Sequence, residues 1–254
     1  MQAFPRLRHL AYRIRNRCRG VPFRICGQVI RLDETLRRWD VENESQIQLT
    51  LSNYLRPGDC VYDIGANFGL HTLLAGRLVG PRGEVHAFEP LPSNLQKLRR
   101  HVELNGLQHV IRVIPTAVSN SQRGTISFFS GADEAGVTAS LRPRQGNKKE
   151  QEVANTRLDA YYKISNSRVR LIKIDVEGAE LEVLRGARQL LIEQKPLLII
   201  EVHAFAFPEF ATTECEFNDF LKSLGYEEQV LRQTTMRDPL HYQAVYKRSN
   251  TLTS

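Results

Sequence analysis

The sequence predicts an α/β fold, built on a mostly parallel sheet with helices on both faces. Three observations carry that prediction. Short β-branched, apolar runs alternate with longer segments of helical period, the pattern of βα units. The stretch Val61 to Ala75 (VYDIGANFGLHTLLA) reads as a buried strand, a glycine turn and an opening helix. The next strand-like run closes on Phe88-Glu89-Pro90, which places a carboxylate at the sheet edge where ligands of such folds gather.

Each element follows in order. Within residues 1–20, arginines alternate with Phe4, Leu7, Leu10, Tyr12 and Ile14. Phe4, Leu7, Leu10 and Ile14 fall at helical spacing and allow an Arg-rich amphipathic helix. Residues 21–32 predict one or two short strands, and residues 41–55 a helix that stops at the turn Arg56-Pro57-Gly58-Asp59. Strands are expected at 60–64, 84–88, 110–114, 170–175 and 197–202, and helices at 69–79, 92–105, 178–193 and 214–224. Two further strand-like runs, Tyr226 to Leu231 and Tyr242 to Tyr246, close the chain. One stretch breaks the alternation. Between Ser119 and Asn155 the chain is polar and glycine-containing; Thr125 to Phe129 reads as an added strand and the remainder as a mobile loop. Residues 130–155 are expected to act as a lid. The organisation is therefore a basic N-terminal extension over 1–50 and one domain over 51–254, with an insertion at about 119–155.

A chain of 254 residues with 41% hydrophobic residues can bury a sizeable core. No apolar run approaches the roughly 18 residues of a membrane span, and the basic N-terminus has no apolar stretch of signal-peptide length. Cys18, Cys26, Cys60 and Cys215 are scattered without C-x-x-C spacing, the pattern of reduced thiols in a cytoplasmic protein. The net charge of +7 is uneven: residues 1–38 carry ten arginines against Asp33 and Glu34, so the rest of the chain is nearly balanced. That arm suits peripheral contact with an anionic membrane surface.

The glycine loop narrows the ligand. A dinucleotide fingerprint, G-x-G-x-x-G, needs its second glycine so that the backbone can approach a pyrophosphate. Here Asn67 stands at that position in Gly65-Ala66-Asn67-Phe68-Gly69, and Asp63 just before the loop would repel a diphosphate. An anionic residue there suits a ligand with an ammonium and a sulfonium, which points to S-adenosylmethionine (SAM).

Three ordered blocks sharpen this: Asp63 to Gly69 (DIGANFG), Phe88 to Pro90 (FEP) and Lys173 to Ala187 (KIDVEGAELEVLRGA). Together they resemble the FkbM family of SAM-dependent methyltransferases, from about Leu55 to His203. The resemblance implies the class I methyltransferase fold, Rossmann-like, with a seven-stranded sheet whose last two strands form an antiparallel hairpin. It also implies O-methylation, often of sugars, glycolipids or secondary metabolites.

Residue roles follow from position. Gly65 and Gly69 permit the tight turn and close approach, and the helix opening near Gly69 offers free N–H groups to the methionine carboxylate. Asp63 is expected to take the ammonium through water, and Asn67 to donate and accept. Glu89 is expected to accept from both ribose hydroxyls. Thr116 and Ala117 follow the third strand, where the adenine belongs, with a backbone contact. Lys173, Asp175 and Glu177 share one side by strand parity, which puts Asp175 beside the transferred methyl and Glu177 at a helix cap. Glu180, Glu182 and Arg185 read as helix surface. Glu201 and His203 end the fifth strand on one face. His203 is expected to be the general base, with Glu201 orienting it. The same acids could hold Mg²⁺, but no metal is expected.

The acceptor is expected to be a small molecule or saccharide. Nucleic-acid methylation is the first alternative, prompted by the basic arm. Neither the Asn/Asp-Pro-Pro-Tyr/Phe motif of amino methylation nor a Pro-Cys nucleophile is present, which weighs against it. A SAM-binding regulator without turnover is the second.

Overall fold

The computed structural model describes residues 19–41, 44–130, 141–142, 149–235 and 238–248. The helix expected within residues 1–20 falls almost wholly outside the described residues.

A hairpin of β1 (Val21–Ile25) and β2 (Gln28–Leu32) comes first, turned through Cys26 and Gly27 at positive φ. Helix α1 (Ser45–Tyr54) follows. The βα alternation then begins: β3 (Cys60–Ile64), α2 (Leu70–Val79), β4 (Glu84–Phe88), α3 (Pro92–Asn105) and β5 (Ile111–Ile114). Next, β6 (Ala117–Val118), β7 (Thr125–Ser130) and β8 (Lys149–Thr156) form a small side sheet in the order β6-β8-β7. The chain continues through α4 (Leu158–Ser165), β9 (Val169–Ile174), α5 (Glu180–Gly186), α6 (Arg188–Gln194) and β10 (Leu197–His203). After a 3-10 turn at Ala204–Phe210 it ends in α7 (Glu214–Ser223), β11 (Tyr226–Thr235) and β12 (Asp238–Arg248).

The main sheet has seven strands in the order β11-β12-β10-β9-β3-β4-β5. β10, β9, β3, β4 and β5 are parallel, while β12 runs antiparallel to both β10 and β11. The order reverses between β3 and β9, so the loops after these strands diverge and open a crevice at their C-terminal ends.

Local chemistry explains the elements. β3 is buried along its whole length, as a central parallel strand must be. α3 starts with Pro92 at its first turn and stops at Gly106, which takes a left-handed conformation at φ 65°. α7 is fixed by a capping box of Thr213 and Glu216. One apolar cluster lies on the face covered by α5, α6 and α7, with Leu184, Leu191, Phe217 and Tyr246. The other lies under α1, α2 and α3, with Ile47, Leu51, Leu73 and Leu98.

Four expectations need correction. Residues 149–156 are not loop but strand β8, paired antiparallel with β7 from Thr125↔Ala154 to Ser130↔Lys149. Its polar alternation hides it, because the small apolar cluster beneath it is reached only through Val153. The lid expected over 130–155 otherwise lies mostly outside the described residues. The helix expected over 178–193 is two helices, α5 and α6, that meet at Ala187. Gly186 packs against the Ser119 carbonyl so closely that a Cβ would not fit, and the chain bends there. Helix α4 was not expected at all. Finally, the described part of residues 1–50 does not stand apart as an extension: Ile25, Ile30, Leu32 and Ile47 are buried in the second cluster.

Candidate active site

The crevice is a cavity at the C-terminal ends of the central strands. Its floor is the loop between β3 and α2. Gly65 sits at φ 78°, and a Cβ there would fall on the Asp175 carbonyl oxygen, so only glycine lets the β3 and β9 loops pass. The Gly65 and Ala66 N–H groups both donate to the Phe88 carbonyl at 3.0 Å. Asn67 is left-handed at φ 51°, and Gly69 caps α2 at φ 97°. The strand-end acid locks this turn: Glu89 accepts from the Asn67 N–H at 2.9 Å and the Leu91 N–H at 2.8 Å. Burial pushes the Glu89 carboxyl up to about 7, against the pull of those two backbone donors.

Gly65, Asn67, Gly69, Glu89, Thr116 and Ala117 all line the cavity. Asn67 Oδ1 and Asn94 Oδ1, also on its wall, are buried acceptors with no partner. Such orphaned acceptors beside a buried carboxylate suit a ligand rich in hydroxyl and amino donors. An adenosyl group has that chemistry. Phe128 and Leu141, from the insertion, close the apolar side of the same cavity.

Asp63 departs from expectation. It is buried and is not among the residues lining the cavity. Thr72 Oγ1 donates to it at 2.5 Å, and Lys173 Nζ lies 3.6 Å away. It therefore fixes Lys173 beneath the loop and lies behind the cavity wall, where it makes no direct contact with a ligand. Lys173 is buried too, and Nζ donates to Asp175 at 3.1 Å. Burial alone would lower the Lys173 pKa, but Asp175, Asp63, Glu44 and Glu201 raise it, so the side chain stays a cation. Burial works to raise Asp175, and Lys173 and His203 overcome that and hold it below the usual carboxylate range.

Asp175, Glu177 and Glu201 line the cavity; His203 does not. Its Nδ1 lies 2.8 Å from Glu180, its Nε2 3.7 Å from Glu177, and its ring stacks on His241 at 4.5 Å. Burial would lower its pKa, but the Glu180 hydrogen bond, with the charges of Glu180, Glu177 and Asp175, raises it to about 10. An imidazole that is already protonated cannot accept a proton near neutral pH, so the expectation of His203 as general base is corrected. Glu201 does not orient His203 either. It accepts from His241 at 3.0 Å and Gln243 at 3.4 Å, both on β12.

Glu180 is likewise not helix surface. It is fully buried, and its carboxylate also accepts from the Gly178 N–H at 3.0 Å. Glu182 and Arg185 do pair on the helix, at 3.2 Å. Sequence reasoning missed several wall residues, among them Trp39, Glu44, His71 and Asn94. Trp39 meets Phe68 edge-on at 5.1 Å, and His71 Nε2 lies 3.0 Å from Glu44 Oε2. His71 follows directly on the glycine loop, which was the available signal. Nothing in the sequence ties residues 39–44 to that loop.

The comparisons agree with this geometry. A model of the methyltransferase FkbM domain matches residues 63–228. The hexuronic acid methyltransferase AglP of Haloferax volcanii is 28% identical over 201 residues, covering 78% of this chain and 79% of that protein. The 31-O-demethyl-FK506 methyltransferase FkbM of Streptomyces tacrolimicus is 30% identical over 180 residues, covering 59% of this chain and 67% of that protein. The AMB antimetabolite synthetase AmbE of Pseudomonas aeruginosa is 27% identical over 226 residues, but the chain spans only 10% of it. In fold, the chain is similar to an rRNA methylase from Clostridium thermocellum, described as putative, at TM-score 0.53 and 12% identity, covering 81% of this chain and 94% of that one. A ribosomal protein L11 methylase from Lactobacillus delbrueckii gives TM-score 0.52 at 13% identity, covering 88% and 87%. Glycine loop, strand-end acid, sheet order and family match converge: this chain belongs to the FkbM methyltransferases and is a methyltransferase of the class I fold that uses S-adenosylmethionine.

Proposed function

We propose that the chain methylates a hydroxyl oxygen of a small-molecule or saccharide acceptor. The observation that carries this reading is the pair of carboxylates, Asp175 and Glu201, that reach the cavity from the ends of neighbouring parallel strands beside the glycine loop. Gly65, Asn67, Gly69, Glu89, Thr116 and Ala117 would hold SAM, which supplies an activated methyl group when bound. Little covalent work is then left to the protein, and positioning is its main contribution. Asp175 accepts the hydroxyl proton as that oxygen donates a lone pair to the methyl carbon and gains positive charge, with Lys173 holding the carboxylate in place at 3.1 Å. Glu201, steadied from β12 by His241 and Gln243, accepts a second acceptor hydroxyl and orients it. His203, fixed by Glu180, is a positioning cation beside Glu177. AglP and FkbM, named for a hexuronic acid and for 31-O-demethyl-FK506, support an acceptor of this class. No nucleic-acid acceptor is proposed.

We propose a cytoplasmic location, on the ground of four cysteines scattered without the spacing of a disulfide frame. Among the described residues, no helix is long and apolar enough to cross a membrane. The arginines of residues 1–18 would draw it to anionic surfaces, which sedimentation with anionic liposomes tests against a chain starting at Val21.

The deciding experiment uses methyl-labelled SAM with panels of neutral sugars, uronic acids and polyketides. Label in an alkali-stable ether supports hydroxyl methylation. Label released by alkali as methanol, from an ester, or found on nitrogen would overturn it. Asp175→Asn should lower turnover ~10²–10⁴-fold, the usual worth of a positioned base. Activity should survive EDTA. A loss restored by Mg²⁺ would recast Asp175, Glu177 and His203, whose ligand atoms lie within 4.8 Å of one another, as metal ligands.

A further inference from the structure

We infer that Glu44, carried by the N-terminal segment, is the carboxylate that receives the α-ammonium of the bound cofactor. The inference rests on SAM as the cofactor and supplies the direct partner that Asp63, behind the cavity wall, does not.

The direction of the cofactor site comes from the sheet order. Thr116 and Ala117 follow β5, Glu89 ends β4, and the glycine loop follows β3. Going from β5 towards β9 crosses three strand spacings of about 4.8 Å each. If the adenine and ribose take the β5 and β4 end, the amino-acid part of the cofactor must lie at the β3 and β9 end. That end is lined by Gly69 to His71, Lys173, Asp175, Glu201 and Glu44.

Of the acids there, Glu177 included, three already have partners. Asp175 is bound by Lys173 at 3.1 Å, Glu201 by His241 at 3.0 Å, and Glu177 faces the His203 ring at 3.7 Å. Glu44 differs. Its close neighbour is His71 Nε2 at 3.0 Å, and that nitrogen is buried without an aligned hydrogen bond. The His71 ring is neutral near pH 7, because burial and the nearby Lys173 charge push its pKa down to about 4. It therefore gives Glu44 no counter-charge. Burial, followed by the charges of Asp175, Glu201 and Asp63, pushes the Glu44 carboxyl up to about 7, with Lys173 pulling the other way. The carboxylate thus faces the cavity in surroundings that are short of positive charge. An ammonium placed there gains a charge-assisted hydrogen bond and relieves the repulsion among the surrounding acids.

The N–H groups at the start of α2, after Gly69, take the cofactor carboxylate at the same end. Both halves of the amino-acid group then have complementary partners. The N-terminal segment is accordingly part of the cofactor site, with Trp39 packed edge-on against Phe68 of the glycine loop.

The test uses two ligands that share ribose and adenine. S-adenosylhomocysteine carries the ammonium and carboxylate; 5′-methylthioadenosine carries neither. Titration calorimetry compares full-length wild type with Glu44→Gln, which keeps shape and loses charge. The variant should bind S-adenosylhomocysteine at least tenfold more weakly and 5′-methylthioadenosine within twofold of wild type. Equal affinity for S-adenosylhomocysteine in both proteins would overturn the inference. So would an equal loss for both ligands, since that marks a general disturbance of the cavity. Glu44→Asp, a second charged variant, should recover part of the loss; no recovery counts against a charge-based role. Wild type binding neither ligand would instead refute the cofactor reading on which the inference stands.

Discussion

Glu89→Gln separates the two tasks that one carboxylate performs. In the folded chain Glu89 Oε2 accepts from the Asn67 N–H and Oε1 from the Leu91 N–H, at 2.9 and 2.8 Å. Asn94 Nδ2 approaches Oε1 at the long distance of 3.5 Å. A glutamine has one acceptor and one donor group, so one of the two backbone N–H groups would face an NH₂. That buried donor is left unsatisfied, at a cost of about 1–3 kcal/mol in stability. The remaining lone pairs of the carboxylate are those available to ribose hydroxyls. Replacing a charged acceptor by a neutral one removes about 1.5–3 kcal/mol of binding, or roughly 10–100-fold in Kd. Thermal unfolding without ligand measures the first effect, and calorimetry with S-adenosylhomocysteine the second. A Kd within threefold of wild type would refute the assignment of Glu89 to the ribose. An unchanged Tm would refute its role in locking the loop.

Two more outcomes follow from the same geometry. Gly65→Ala forces a Cβ onto the Asp175 carbonyl at a φ of 78°, so it should cost about 1–3 kcal/mol in backbone strain alone and weaken S-adenosylhomocysteine binding; unchanged Tm and Kd would refute the close approach of the two loops. His203→Gln should keep turnover within about tenfold, and a fall of ~10²-fold or more would reinstate His203 as the base. It also tests the charge on the ring. The folded pKa of about 10 lies above the unfolded 6.5, so the stability from the His203 cation is complete below about pH 6.5 and lost as pH rises through 10. Wild type should therefore lose more stability than His203→Gln between pH 7 and 10. Parallel pH profiles of Tm would show the ring is not charged.

The sequence by itself determined the parallel core and the cofactor end of the site. Strand β3 and helix α2 are written in one continuous stretch, and Gly65, Asn67 and Gly69 lie within five residues of one another. Glu89 was legible for the same reason: a carboxylate directly after a buried strand has few places to go. Local spacing decides such features. What the tertiary structure alone decided are the partnerships across the sheet. Glu180 reads as exposed helix until β10 brings His203 against it, and that contact turns an expected base into a buried cation. Asp63 reads as a ligand until Lys173, on the neighbouring strand, claims it. Glu201 looks free to orient His203 until β12 supplies His241 and Gln243. Glu44 carries no motif at all and enters the cavity only because α1 packs over α2. The physical reason is common to these four. A charged side chain takes its protonation state and its role from the charges and the burial around it, and here those come from residues 23 to more than 100 positions away in the chain.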